Sequence, residues 1–148
     1  LLSTTHGAEM SSLSAFLATM DFMERHQVID HLWKYGAQLA GAINAEALRH
    51  GITQYLYASG PAANPYYSTV TEMGTPWLDL RTLFSQEMIR QGVLMPWIAV
   101  SYRHRESEFE RTKIALAQAV EVCANAIKEG VDKYLIGPAI KPVFRKFN

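Results

Sequence analysis

The chain has 148 residues, 49% of them hydrophobic and 19% charged, and its 14 basic side chains balance 14 acidic ones. A domain of this size buries about two-thirds of the surface its unfolded chain exposes, so its core needs no staple. Zero net charge removes the electrostatic case for a nucleic-acid partner, and no apolar run approaches the roughly 20 residues that a membrane span requires.

The single cysteine, Cys123, excludes an internal disulfide framework and fits a reducing, cytoplasmic compartment. No basic segment followed by an apolar stretch marks a secretory signal. The chain opens on Leu1-Leu2 without an initiator Met, and we expect it to be a piece of a longer protein.

Met10, Leu13, Phe16, Leu17, Met20 and Met23 recur at spacings of three and four, which predicts an amphipathic helix over 8–24. A second helix is predicted over 27–50, carried by Val28, Ile29, Leu32, Trp33, Leu39, Ile43 and Ala47 and closed by Gly51. Residues 53–58 and 66–73 are aromatic and β-branched. They flank a Gly60, Pro61, Asn64, Pro65 break and so predict two paired strands joined by a loop.

Helical spacing returns over 78–91 through Leu80, Leu83, Phe84, Met88 and Ile89, with Gly92 at the C-terminal cap. Residues 93–102 are short, apolar and contain Pro96, which predicts a strand entered through a bend. Ser107-Glu108-Phe109-Glu110 has the pattern of a capping box, and the helix it opens runs through Ile114, Ala117, Val120, Ala124 and Ile127 to Gly130. The tail, with Gly137, Pro138 and Pro142, is expected to be irregular. The order of elements predicts an α+β fold: helices over one small antiparallel sheet, preceded by a long helical region.

Ser3-Thr4-Thr5-His6-Gly7 stands directly before the first helix. Hydroxyls, a glycine and free N–H groups at a helix N-terminus suit an anion such as a phosphate, while simple capping is the plainer reading. Ser101-Tyr102-Arg103-His104-Arg105 is the most polar cluster at a predicted strand-to-helix junction. Its arginines suit a carboxylate or phosphate, or face Glu106, Glu108 and Glu110 as an ordinary solvated junction. His26 and His31 are badly spaced to share a helix face and Cys123 is alone, so no metal is expected. Cys123 reads as a core residue, having no positive neighbour within a turn. The three tryptophans and Tyr55, Tyr57, Tyr66 and Tyr67 fit either core or subunit interface.

The first segment resembles a point in class III pyridoxal-phosphate aminotransferases, nearest to the glutamate-1-semialdehyde aminomutase-like members. That family has Thr-x-x-Gly-Asn-Pro before a long helix, and Thr4-Thr5-His6-Gly7 keeps its Thr-x-x-Gly spacing, with Ala8 and Glu9 in place of Asn-Pro. Near the other end, Ser101-Tyr102-Arg103-His104, then Glu106, Glu108 and Arg111-Thr112, is similar to the family's Ser-x-x-His, acidic helix start and Arg-Thr. Arg90-Gln91-Gly92-Val93-Leu94-Met95-Pro96 resembles the helix end, Gly-Val and proline between them. The aminomutase's acidic residue after that proline is missing from Trp97-Ile98-Ala99-Val100, so a related aminotransferase fits at least as well.

The resemblance implies a homodimer that binds pyridoxal 5'-phosphate. Thr4, helped by Ser3 or Thr5, would hold the cofactor phosphate across the subunit boundary, and Arg103 would contact the substrate carboxylate. It also implies that residues 1–26 end the large cofactor-binding domain and 27–148 form the small C-terminal α+β domain. The family's Schiff-base lysine lies upstream of the phosphate threonine, whereas all six lysines here lie downstream of Thr4, so the chain alone is expected to be inactive. The rival expectations are a non-catalytic dimerisation domain of the same fold and a stand-alone anion-binding domain.

Overall fold

The computed structural model describes residues 9–141. Its first element is helix α1, Met10–Arg25, followed by α2, Val28–Arg49. The corner between them is a single left-handed residue, Gln27, at φ 49°. That conformation crowds Cβ, and the Gln27 amide offsets part of its cost by donating to the Glu24 carbonyl at 2.9 Å. α2 turns Val28, Tyr35, Gly36, Leu39, Ile43 and Ala47 to the interior, one stripe of a 3.6-residue repeat.

Gly51, at φ 70°, lets the chain leave α2 and enter β1, Leu56–Ser59, which pairs antiparallel with β2, Tyr66–Thr69. The register sets Leu56 against Thr69 and Ala58 against Tyr67, and these four are the buried face of the ribbon. Helices α3, Leu78–Arg90, and α4, Glu106–Glu129, pack on each other, α4 also on α2 and α3 on β2, and a 3₁₀ turn at Val131–Tyr134 closes their far end. Ile43, Leu56, Leu80, Leu83, Phe84, Met88, Leu116, Val120 and Cys123 are fully buried where these elements meet. Each large apolar side chain there stabilises the fold by about 1.5–3 kcal/mol relative to exposure. The fold is α+β: among the described residues it has four α-helices and one two-stranded antiparallel sheet.

Two expectations need correction. Residues 93–102 form no strand. Pro96 has no N–H to give a ladder, and the carbonyls that a third strand would use are claimed by side chains. The Tyr67 hydroxyl lies 3.1 Å from the Met95 carbonyl and 3.0 Å from that of Pro96, and Arg81 Nη2 donates to the latter at 2.9 Å. The segment is thus pinned to the core, with Met95 and Ile98 buried, by β2 and α3.

The second correction concerns the start of α4. The helix begins at Glu106, and the carboxylate that closes its first turn is that of Glu108, which accepts the Arg105 N–H at 2.8 Å. Glu110, the acid of the expected box, instead pairs with Lys113 at 2.8 Å.

α1 differs from the other helices, because none of its residues is buried. Among the described residues no helix is long and apolar enough to cross a membrane.

Candidate functional site

Ser3, Thr4 and Thr5 lie outside the described residues. Arg103 lies within them, on the turn that leads into α4. That turn is closed by mutual bonds between Ser101 and His104. The Ser101 N–H donates to His104 Nδ1 at 3.3 Å, and the His104 N–H donates to the Ser101 carbonyl at 3.0 Å. The Ser101 hydroxyl accepts the Arg103 N–H at 3.2 Å, so the Ser-x-x-His spacing fixes the backbone that carries Arg103.

Tyr102 anchors the turn to the helices. Its ring meets Phe22 of α1 edge-on at 5.7 Å and His31 of α2 at 5.3 Å, and the Arg105 guanidinium lies 4.1 Å over its centre. His104 lies against Tyr35 at 5.6 Å, and Tyr35 against Phe109 at 5.8 Å. Burial and the nearby Glu108 and Glu106 carboxylates raise the Tyr35 phenol above its ordinary value, so it stays a neutral hydroxyl at physiological pH. Arg103 itself is exposed, and among the described residues its guanidinium has no hydrogen-bond or ion-pair partner. Two of the acids that a solvated junction would offer it are engaged elsewhere, Glu108 on the Arg105 N–H and Glu110 on Lys113.

Beside the turn runs an open groove of about 370 Å³ between α2, residues 92–100 and the first turns of α4. Leu39, Val93, Met95 and Trp97 give it an apolar wall, and His104 and Arg111 give it polar atoms. Arg111 lies across Gly92, where a Cβ would stand 2.8 Å from its guanidinium nitrogen. Gly92 also has φ 76°, so a side chain there is opposed by backbone and neighbour alike. The sequence showed Arg111 only as half of an Arg-Thr pair. Its place in the groove depends on the fold, as does the role of Tyr102.

The described lysines, Lys34, Lys113, Lys128, Lys133 and Lys141, are all exposed, and none lines this groove. The described residues therefore do not fit an aldehyde cofactor held as a Schiff base. Cys123 is no substitute nucleophile: burial, with Glu87 nearby, pushes its thiol up to about 12. Among the described residues no three side chains of His, Cys, Asp or Glu gather as metal ligands. The site is a hydrogen-bonded turn presenting the exposed Arg103, next to a groove that His104, Arg111 and the Glu108 carboxylate line beside its apolar wall. A guanidinium on such a turn suits a carboxylate or phosphate. No protein-family model, curated protein or solved structure matches the chain.

Proposed function

We propose that this chain is the C-terminal part of a class III pyridoxal-phosphate-dependent aminotransferase, similar to glutamate-1-semialdehyde aminomutase and working as a homodimer. In this reading Thr4, with Ser3 or Thr5, holds the cofactor phosphate across the subunit boundary, and Arg103 holds the substrate carboxylate. The cofactor, when bound, supplies the electron sink for moving an amino group between an amino compound and a carbonyl or keto acid. The lysine that carries it belongs to the upstream part of the parent, so the chain alone is inactive.

The observation that supports this reading best is the turn at 101–105. On a backbone held by Ser101 and His104, the Arg103 guanidinium has no partner among the described residues and is open to pair with a carboxylate. The α+β class is the one this reading expects, although residues 93–102, expected as a strand, form none.

The test is to add pyridoxal phosphate to the chain, dialyse, then reduce any retained chromophore with borohydride and map the modified lysine. The chain alone is expected to lose the chromophore, and the chain joined to its upstream region to keep it. In that longer protein Arg103→Ala is expected to raise KM for the amino acid more than about tenfold with kcat less affected. Stoichiometric reduction onto one lysine of the chain alone would overturn the assignment, and an unchanged KM would remove Arg103 from the substrate site.

A second reading, a non-catalytic dimerisation domain, is supported by the apolar side chains that α1 leaves exposed. It predicts an upstream region without the lysine.

A further inference from the structure

An open cavity of about 310 Å³ lies at the end of the β-ribbon where the chain passes into α3. Tyr55, Thr71, Glu72, Met73, Trp77 and Ile127 line it. The Tyr55 and Trp77 rings meet edge to face, 5.7 Å apart and at 75°, as two walls of a corner rather than as a stack. In such a pair one ring keeps both faces clear of the other, and ring faces carry the negative part of the quadrupole. Glu72 adds the one formal charge among the lining residues, its carboxylate accepting the Tyr55 hydroxyl at 2.8 Å. We propose that this corner binds a methylated ammonium group, with the cation against the aromatic walls and Glu72 as its counter-charge.

Backbone hydrogen bonds hold the corner in place. The Val70 N–H donates to the Tyr55 carbonyl at 2.9 Å, which ties the residue before β1 to the end of β2. The Trp77 N–H donates to the Thr69 carbonyl at 2.9 Å, and the Trp77 carbonyl accepts the Thr69 hydroxyl at 2.9 Å. Between these anchors Glu72 rides on a closed turn. The Thr71 N–H donates to the Thr75 carbonyl and the Gly74 N–H to the Thr71 carbonyl, both at 2.9 Å, and the two threonine hydroxyls bond at 2.7 Å. A site whose parts are fixed before binding loses little freedom when it is filled.

Charge and polarity select the occupant. Among the described residues Glu72 forms no ion pair, so its charge is unmatched and favours a cation over an anion. A primary ammonium carries three N–H donors. The side-chain oxygens lining the cavity are those of Glu72, Thr71 and Tyr55, the last two already in hydrogen bonds with Thr75 and Glu72. A methylated ammonium keeps the charge without those donors, and its methyl groups suit the aromatic faces and the neighbouring Met73 and Ile127. The cavity shares no lining residue with the groove beside the 101–105 turn, and its binding does not depend on the aminotransferase reading.

The test is an NMR titration of the full chain with tetramethylammonium chloride, with sodium chloride at equal concentration as the reference. Saturable shifts are expected at the Trp77 indole N–H and the Tyr55 ring, and none at the indoles of the exposed Trp33 and Trp97. tert-Butanol, similar in shape but uncharged, and unmethylated ammonium chloride should each bind at least about fivefold more weakly. Glu72→Gln, which keeps an acceptor for the Tyr55 hydroxyl, should weaken binding at least about threefold, and Glu72→Lys should abolish it. Glu72 is exposed, so both variants should keep the wild-type unfolding midpoint. Shifts no larger than those from sodium chloride, tert-butanol binding as tightly as tetramethylammonium, or a Glu72→Lys chain that binds like the wild type would each overturn the proposal.

Discussion

Asn44 of α2 and Ala58 of β1 exchange two hydrogen bonds. The Ala58 N–H donates to Asn44 Oδ1 at 2.7 Å, and Asn44 Nδ2 donates to the Ala58 carbonyl at 3.0 Å. One side-chain amide thus does at this residue what a further strand would do, satisfying both backbone groups on the open edge of β1. The arrangement also sets the pairing phase. With both polar groups of Ala58 turned to α2, its opposite residue Tyr67 is a non-hydrogen-bonded partner, where side chains approach most closely.

Replacing that amide is expected to be costly. Asn44→Ala leaves a partly buried donor and acceptor without partners and should lower stability by about 2 kcal/mol. Asn44→Asp keeps an acceptor but turns a carboxylate oxygen towards the Ala58 carbonyl, so it should also destabilise at neutral pH. Urea unfolding of the three proteins checks this, and an unchanged midpoint in the alanine variant would refute the role.

Gly36 makes the converse case, a position that needs the absence of a side chain. It is buried in the middle of α2, where a Cβ would come 1.8 Å from the Ala62 carbonyl oxygen and 3.2 Å from Pro65 Cδ. In an exposed helix Gly→Ala gains about 1 kcal/mol. Here the backbone of the β1–β2 loop must retreat, and Gly36→Ala is expected to lose about 1–3 kcal/mol. The exposed Gly41→Ala, with open space around its Cβ, is the matched control and should be neutral or stabilising. Thermal unfolding of both variants decides whether the close approach holds.

These contacts also mark where sequence reasoning stops. The stripes of α2, α3 and α4 were legible from spacing, and so were their ends, because Gly51, Gly92 and Gly130 all take positive φ just past a helix. Periodicity shows that a face exists but not what covers it, so the α1 stripe reads like a core face although none of its residues is buried. Residues 93–102 have the composition of a strand. What denies them that role is the capture of the Met95 and Pro96 carbonyls by Tyr67 and Arg81, from 28 and 15 residues away. At the candidate site the Ser101–His104 spacing was visible, and its closure of the turn is local. The edge-on contacts of Tyr102 with Phe22 and His31 join segments some 70 residues or more apart, and no local pattern announces them.

Cys123 gives a chemical probe of the core. Fully buried on α4, with its thiol pushed up to about 12, it should carry almost no thiolate at neutral pH. A disulfide reagent such as dithionitrobenzoate is expected to label it only at the rate at which the core opens. Labelling should become immediate and stoichiometric in denaturant. Fast labelling of the native chain would mean that α4 does not pack as described.

The first turn of α4 should make stability depend on pH. The Glu108 carboxyl is held below its usual value, chiefly by the Arg105 N–H, then by the Ser107 hydroxyl, its own N–H and nearby His104. Because its folded value is the lower one, the unfolded chain binds more protons in the interval between the two values, and stability there rises with pH. The contribution is therefore fully present above the ordinary glutamate value and is lost as pH falls through the folded one. Glu108→Gln keeps an acceptor for the Arg105 N–H but no charge. It should be somewhat less stable than the wild type at neutral pH, and the two should converge from about pH 5 downwards. Urea midpoints measured across that interval check the sign. A difference that stays constant with pH would show that the Glu108 charge contributes nothing to the turn that carries Arg103 into α4.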